Sequence, residues 1–173
     1  WRPQRLQIRC QAGNLQIIQG YFGETETLER LPRLDCVFMF DVLLHQVRPN
    51  WDEVLARYAG RTRHFVIFNQ QFVDTVTTIR LLDRGPEWYF ANTPHTPDHP
   101  AYRNLFEKLY DKHPDHDRVW RDVHHIWQWG ICDRDLMAVM DSLDYKLTLY
   151  INYGRFGRLP SFENHAFVFQ AGP

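Results

Sequence analysis

The stretch that most constrains the fold is LDCVFMFDVLLHQVRPNW, residues 34–51. Residues Cys36–Phe40 form an apolar run of strand length, which is typical of a strand buried on both faces in a parallel sheet covered by helices. Asn50 precedes acids and an apolar stripe, so it is placed to cap the next helix. The order strand, polar loop, helix predicts that Asp41 and His45 lie at the carboxyl end of a central strand, where open α/β sheets bind ligands.

The length and charge of the chain limit its class. A chain of 173 residues is enough for one domain, and a net charge of −1 argues against binding nucleic acid or a membrane surface through bulk electrostatics. Three cysteines without paired spacing fit a reducing compartment, so we expect a cytoplasmic protein. No apolar run reaches the ~18–20 residues that span a bilayer. The chain begins at Trp1 without an initiator Met, and we expect an upstream segment.

The rest of the chain is predicted to alternate strands and helices on either side of an unusual middle. Ahead of the central strand we predict a strand at Leu15–Gln19, a turn at Gly20–Gly23 and a short helix or turn at Thr25–Leu31. After it come the helix Trp51–Ala59, the buried strand His64–Phe68, a helix Arg134–Leu143 capped by Asp133, and strands at Lys146–Asn152 and His165–Gln170 joined by a loop. The last two strands are predicted to form an antiparallel pair.

Residues 72–131 interrupt this pattern. The segment holds five prolines, four of the six tryptophans and six of the nine histidines. Helical patches are predicted at Thr75–Leu82 and Ala101–His113. Because linkers are poor in tryptophan, we expect an insertion that serves as a lid or a substrate wall.

The histidines of this insertion raise the question of a metal. The spacings are His95-x3-His99, His113-x2-His116 and the adjacent pair His124 and His125. No cysteine supports them, and prolines break the helical face that a four-residue spacing needs. We therefore predict no metal site, with a metal-dependent enzyme built on these histidines as a third hypothesis.

Six segments together resemble the later two thirds of class I S-adenosylmethionine-dependent methyltransferases: LQIIQGYF, LDCVFMFDVLLHQV, WDEVLARYA, HFVIFNQQ, DRDLMAVMDSLDYKLTLY and HAFVFQ. The resemblance implies a single α/β domain over residues 1–173, with a Rossmann-like sheet incomplete at the N-terminus, a terminal antiparallel strand pair and a helical lid insertion at 72–131. It also implies S-adenosylmethionine as the cofactor and methyl transfer to a small molecule.

The resemblance and the residues together predict a site. His45 is the expected catalytic base, since an imidazole with an ordinary pKa near 6.5 suits proton removal from a substrate. The expected cofactor contacts are Gly20, Tyr21, Phe22, Phe40 and Asp41. The expected substrate contacts are Asn69, Gln70, Gln71, His124, His125, Trp127, Trp129, Tyr153 and Arg155. Each has an alternative structural role, in the core, in a turn or at a solvated surface.

A second hypothesis is a binding module that keeps this fold without catalysis. The glycine-rich first turn of the family has no counterpart in Trp1–Asn14, and neither does the acid that holds the ribose hydroxyls. Tyr21 also stands where the family usually has an acid that accepts the adenine amino group. A phenol can still form a hydrogen bond, but it is larger and uncharged.

Overall fold

The computed structural model describes residues 18–172. The predicted strand at Leu15–Gln19 lies mostly outside this range, and its described residues, Ile18 and Gln19, are not in a strand. Four α-helices are described: α1 (Thr25–Glu29), α2 (Trp51–Ala59), α3 (Pro86–Asn92) and α4 (Asp133–Ser142). Six strands accompany them: β1 (Leu34–Phe40), β2 (Thr62–Phe72), β3 (Ile79–Arg80), β4 (Trp129–Gly130), β5 (Tyr145–Phe156) and β6 (Leu159–Ala171). None of these helices is long and apolar enough to cross a membrane.

The main sheet has the strand order β1-β2-β6-β5. Strands β1 and β2 are parallel, whereas β6 runs antiparallel to both of its neighbours. The predicted terminal antiparallel pair is therefore confirmed. The carboxyl end of β2 lies beside the first half of β6, because Asn69 pairs with His165 and Gln71 with Glu163. Strands β3 and β4 form a separate two-stranded sheet within the insertion.

Only one face of the main sheet is covered by described residues. Val37 and Met39 of β1 are buried with side chains of α2 and α4. Phe38 and Phe40 point the other way and are 60% and 58% exposed. The expectation that Cys36–Phe40 is a central strand buried on both faces is thus wrong for the described chain, in which β1 is an edge strand. An apolar run indicates that both faces of a strand can be buried, but it does not show that other residues cover both faces.

Local predictions were more accurate at helix ends than in the insertion. Asn50 and Glu53 form a capping box at the start of α2, and the Asn50 amide lies 3.0 Å from a Glu53 carboxylate oxygen. Helix α4 begins at Asp133, one residue before the prediction, and Cys132 is at its N-cap. The predicted helices at Thr75–Leu82 and Ala101–His113 are wrong. These segments contain turns, β3 and short 3-10 turns, because the first is rich in β-branched threonines and the second is bounded by Pro100 and Pro114.

The chain from Tyr153 to Asn164 is not the predicted loop. Strand β5 continues to Phe156, and β6 starts at Leu159, so Gly157 and Arg158 alone make the turn. Gly157 has a φ of +54°, a conformation that glycine adopts without strain. Tyr153 and Arg155 consequently lie within a strand.

The insertion has its own apolar core. Leu81, Tyr89 and Ile126 are fully buried there, and they pack with Phe72 of β2 and Phe162 of β6. This cluster joins the insertion to the carboxyl end of β2. Its helical content is limited to the seven-residue α3 and short 3-10 turns, so it is less helical than predicted. Its role as a lid stays a prediction.

Replacing Asn50 with Ala removes the cap of α2. We expect a loss of about 1 kcal/mol in the free energy of unfolding, because a backbone N–H at the start of the helix loses its partner. Urea denaturation would measure it. The comparison variant is Asn104→Gly. Asn104 caps no α-helix, and its backbone has a left-handed conformation, which glycine adopts easily. An equal loss in both variants would contradict the capping role.

Candidate active site at the end of β1

A set of hydrogen bonds holds the turn after β1 against the end of the insertion. The Leu44 carbonyl accepts a hydrogen bond from the backbone N–H of Gln128 at 3.0 Å. The Gln46 carbonyl accepts one from the indole N–H of Trp129 at 2.7 Å. The His45 carbonyl accepts from the His124 Nδ1 at 3.2 Å. We call this the 44–46/124–129 contact. It fixes the position of His45 relative to the predicted substrate wall.

His45 is held in a state that suits a base. Its Nδ1 lies 2.9 Å from the Ile126 carbonyl oxygen, which can only accept, so Nδ1 carries the hydrogen and Nε2 carries the lone pair. Burial lowers the pKa of His45, while the Ile126 carbonyl and the Asp41 charge partly oppose this. The imidazole is therefore neutral at neutral pH, with its Nε2 able to take a proton.

Asp41 lies directly after β1 with an unusual backbone. Its φ is +52°, and its amide donates to the Phe68 carbonyl at 2.8 Å, which extends the strand pairing by one bond. Burial raises the pKa of Asp41, and a hydrogen bond from Gln70 and the nearby His45 partly offset this. Its Oδ1 is buried and has no donor among the described residues. The hydrogen-bonding capacity of this carboxylate oxygen is therefore not used by the described residues.

Tyr21 and Arg118 complete one side of this region. The Tyr21 ring centroid lies 6.0 Å from that of His124, and the Arg118 guanidinium carbon lies 5.6 Å from the Tyr21 ring. Arg118 donates to the Val47 carbonyl at 2.6 Å, so the insertion contacts the turn here too. Sequence reasoning missed Arg118, because no motif marks one arginine about 70 residues from its partner.

The structure brings some predicted site residues together and separates others. Asp41, His45, Gln70, Tyr21 and His124 lie around the turn that follows β1. His125 follows on the exposed side, and Trp129 is partly buried with Arg80 stacked over its ring at 5.0 Å. Asn69 and Gln71 are fully buried on the sheet face that packs against α2 and α4.

The other predicted contacts lie in different surroundings. Trp127 is buried in the core of the insertion, and Tyr153 lies on the uncovered sheet face, 5.9 Å from the Phe68 ring. Arg155 lies opposite Glu163 in the pairing of the strands β5 and β6. Phe40 is exposed on the uncovered face and Phe22 stacks on Tyr58 at 4.8 Å. A Cβ on Gly20 would overlap the Thr27 side chain, so packing alone explains that glycine.

The insertion histidines form an aromatic cluster. The rings of His113, His116 and His125 have centroids between 4.6 and 6.5 Å apart, and His113 also contacts Trp120. Within residues 18–172, no group of three or more His, Cys, Asp or Glu residues is arranged to hold a metal ion. Burial, followed by repulsion from His113 and His116, lowers the pKa of His125.

A separate buried histidine connects the hairpin to α4. The His165 Nδ1 lies 2.8 Å from an Asp133 carboxylate oxygen, and its Nε2 lies 3.2 Å from a Glu163 oxygen. Burial disfavours the charge, but together these two carboxylates outweigh that effect and raise the pKa of His165. Tyr150 also donates to Asp133, at 3.0 Å.

This network makes stability depend on pH. Because the folded pKa of His165 is above its unfolded value of about 6.5, its stabilisation is complete below that pH and is lost as pH rises through the raised pKa. We expect the wild-type chain to lose stability over this interval and His165→Gln to lose less. Thermal melting from pH 5.5 to pH 9 would measure both. Parallel curves for the two proteins would contradict the role of His165.

Sequence comparison identifies no relative: no family model and no curated protein matches this chain. Comparison of folds identifies similar solved structures. The chain is similar to "the N-terminal domain of EvdMO1", solved "in the presence of SAH and D-fucose", with a TM-score of 0.55 and 14% identity over 99% of this chain. It is also similar to "the Mitomycin 7-O-methyltransferase MmcR", with a TM-score of 0.51 and 12% identity over 98% of this chain.

These similarities establish the class of fold. The parallel pair β1 and β2, the antiparallel β6 and β5, and the solved neighbours agree on a class I S-adenosylmethionine-dependent methyltransferase fold. The predicted Rossmann-like α/β class is confirmed. The chain spans 61% of the EvdMO1 domain and 38% of MmcR, so it corresponds to only part of each neighbour.

Proposed function

We propose that this chain is part of an enzyme that transfers a methyl group from S-adenosylmethionine to a small molecule, with His45 as the base. The observation that carries the proposal is the neutral His45, whose Nε2 lone pair is free at the carboxyl end of β1, beside the orphaned Asp41 oxygen. The neighbour solved with SAH supports the choice of cofactor, because SAH is what remains of S-adenosylmethionine after methyl transfer. The three cysteines favour the cytoplasm as its compartment.

His45 acts on the attacking group of the substrate. When bound, the cofactor supplies an electrophilic methyl group on a sulfonium. His45 Nε2 would take the proton from a substrate hydroxyl, which would leave that oxygen as the nucleophile for the methyl group that the bound cofactor would supply. The Ile126 carbonyl stabilises the resulting imidazolium through Nδ1, and Asp41 stabilises its charge. The 44–46/124–129 contact holds the ring in place for this in-line reaction.

The described residues fit part of a cofactor site. Asp41 is the residue that would hold a cofactor N–H or O–H group, through its unpartnered Oδ1. Tyr21, which is 52% exposed and beside His124, is free to contact the same ligand. Phe22 is less suited, because its ring is already stacked on Tyr58.

Calorimetric titration of the protein with S-adenosylmethionine tests the proposal. We expect binding, and we expect Asp41→Ala to weaken it about five- to 100-fold, because a charged hydrogen-bond partner is lost. Asp35→Ala is the matched control, since Asp35 is an exposed acid of β1, the strand that Asp41 follows. The absence of both binding heat and a thermal shift would overturn the proposal and favour the non-catalytic binding module.

A further inference from the structure

The two-stranded sheet of the insertion places Arg80 against Trp129. The two residues lie opposite each other in the pairing of β3 with β4, and the Arg80 guanidinium carbon lies 5.0 Å from the centroid of the Trp129 ring. Side chains at paired positions share a face of the sheet, and the electron-rich face of an indole attracts a guanidinium. The indole N–H of Trp129 also donates to the Gln46 carbonyl at 2.7 Å. Trp129 therefore connects Arg80 to the residue that follows His45.

Asp122 holds Arg80 in this position. Its Oδ1 lies 3.2 Å from Arg80 Nη2, and the Arg121 carbonyl accepts from the same nitrogen at 3.0 Å. The side chains of Arg80 and Asp122 are only 14% and 9% exposed, so both charges are largely removed from water. Removing one partner of such a pair is costly, because it leaves a buried charge without compensation. The place of the guanidinium over Trp129 therefore depends on Asp122.

The second oxygen of Asp122 reaches the turn that carries His45. Its Oδ2 lies 3.1 Å from the Nε of Arg48, a residue of the same turn. The Arg48 side chain is 75% exposed, so this ion pair is solvated and contributes less than the pair with Arg80. Together the contacts form a closed ring through Asp122, Arg80, Trp129, Gln46 and Arg48. The turn after β1 is thus held at two points that follow His45.

We propose that Asp122, Arg80 and Trp129 are positioning residues for the base. Together they hold the turn after β1, so that the His45 imidazole keeps its hydrogen bond to the Ile126 carbonyl. None of the three has to touch the substrate, because they act on the backbone and side chains of the turn. The inference rests on the proposed methyl transfer, in which a base works only within hydrogen-bond reach of the proton it removes.

Nitrogen NMR of isotope-labelled histidines tests the proposal without cofactor or substrate. Long-range proton–nitrogen spectra show which ring nitrogen carries the hydrogen, a pH titration gives each pKa, and the signal lost in His45→Gln identifies the ring. In the wild-type protein we expect the His45 hydrogen on Nδ1 and a pKa below about 6.5. In Asp122→Asn, which keeps the size of the side chain and removes its charge, we expect this pKa to rise toward about 6.5 and the single tautomer to be lost. The reason is that burial, the main cause of the lowered pKa, is reduced when the turn moves.

The direction of the change separates positioning from a direct effect of the lost charge. Loss of a negative charge by itself lowers the pKa of a histidine, whereas loss of burial raises it. Asp133→Asn is the matched control, because it removes a carboxylate from the separate His165 network. We expect it to lower the melting temperature and to leave the His45 signals unchanged.

Trp129→Phe tests the same ring of contacts with both charges in place. It keeps an aromatic face for Arg80 and removes the N–H that binds the Gln46 carbonyl, so we expect the His45 pKa to rise here too. This variant carries the test if thermal melting shows that Asp122→Asn is unfolded. An unchanged or lower His45 pKa in the folded variants, or an equal rise in Asp133→Asn, would overturn the inference. Failure of the protein to bind S-adenosylmethionine would contradict the proposed function alone, since the NMR signals do not depend on the cofactor.

Discussion

Replacing His45 with Gln is expected to lower kcat by about 10²- to 10⁴-fold, the usual contribution of a positioned general base. A glutamine fills a similar space and can still donate to the Ile126 carbonyl, but it has no atom that takes a proton near neutral pH. The affinity for S-adenosylmethionine is expected to stay unchanged. Methyl transfer from labelled cofactor to the substrate, measured at saturation, would give the loss in kcat.

The control for this variant is His64→Gln. His64 lies in β2 near its amino end, away from the carboxyl edge, and its Nδ1 contacts the Asp35 carbonyl at 3.1 Å. The wild-type kcat is expected to be constant at neutral pH and to fall only in acid, below about pH 6.5, because burial lowers the pKa of His45. A His45→Gln enzyme with the wild-type rate, or an acid limb above this pH, would show that another group takes the proton.

The surroundings of His45 show where sequence reasoning succeeds. The segment from Leu34 to Ala59 was predicted closely, because its signals are local: an apolar run of strand length, a polar turn and a capped helix. His45 at the end of β1 follows from that order. The position of the imidazole hydrogen on Nδ1 does not follow from the order of elements, because the Ile126 carbonyl that fixes it is 81 residues away in the sequence. A tautomer set by a distant backbone atom leaves no local pattern in the sequence.

The hairpin and the insertion failed for different reasons. Glycines in 153–164 indicated a loop, yet Gly154 and Gly157 occupy irregular positions in a long hairpin that its cross-strand pairing holds together. In the insertion, apolar residues at helical spacing are not in a helix. Leu105 and Leu109, for example, lie in turns and belong to the same buried cluster as Tyr89. Tertiary packing overrides the local helical propensity of this segment.

Replacing Phe167 with Ala is expected to cost about 3–5 kcal/mol in the free energy of unfolding, the loss typical of a buried phenylalanine. Phe167 is fully buried at the centre of the sheet, where its ring contacts those of Tyr150 and Phe169 at 5.3 and 5.9 Å. A loss of that size approaches the total stability of many domains. Phe167→Leu, which leaves a smaller cavity, therefore accompanies it in the urea denaturation series.

Phe38→Ala is the informative comparison, because it makes the same chemical change on the opposite face of the sheet. Phe38 is 60% exposed, and among residues 18–172 its ring contacts only that of Phe40, at 5.8 Å, so the expected change is within about 0.5 kcal/mol. A loss as large as that of Phe167→Ala would mean that the Phe38 face is covered in the folded protein. The apolar pattern of β1, which indicated burial on both faces, would then be correct for the whole molecule, and β1 would be an edge strand only among the residues described.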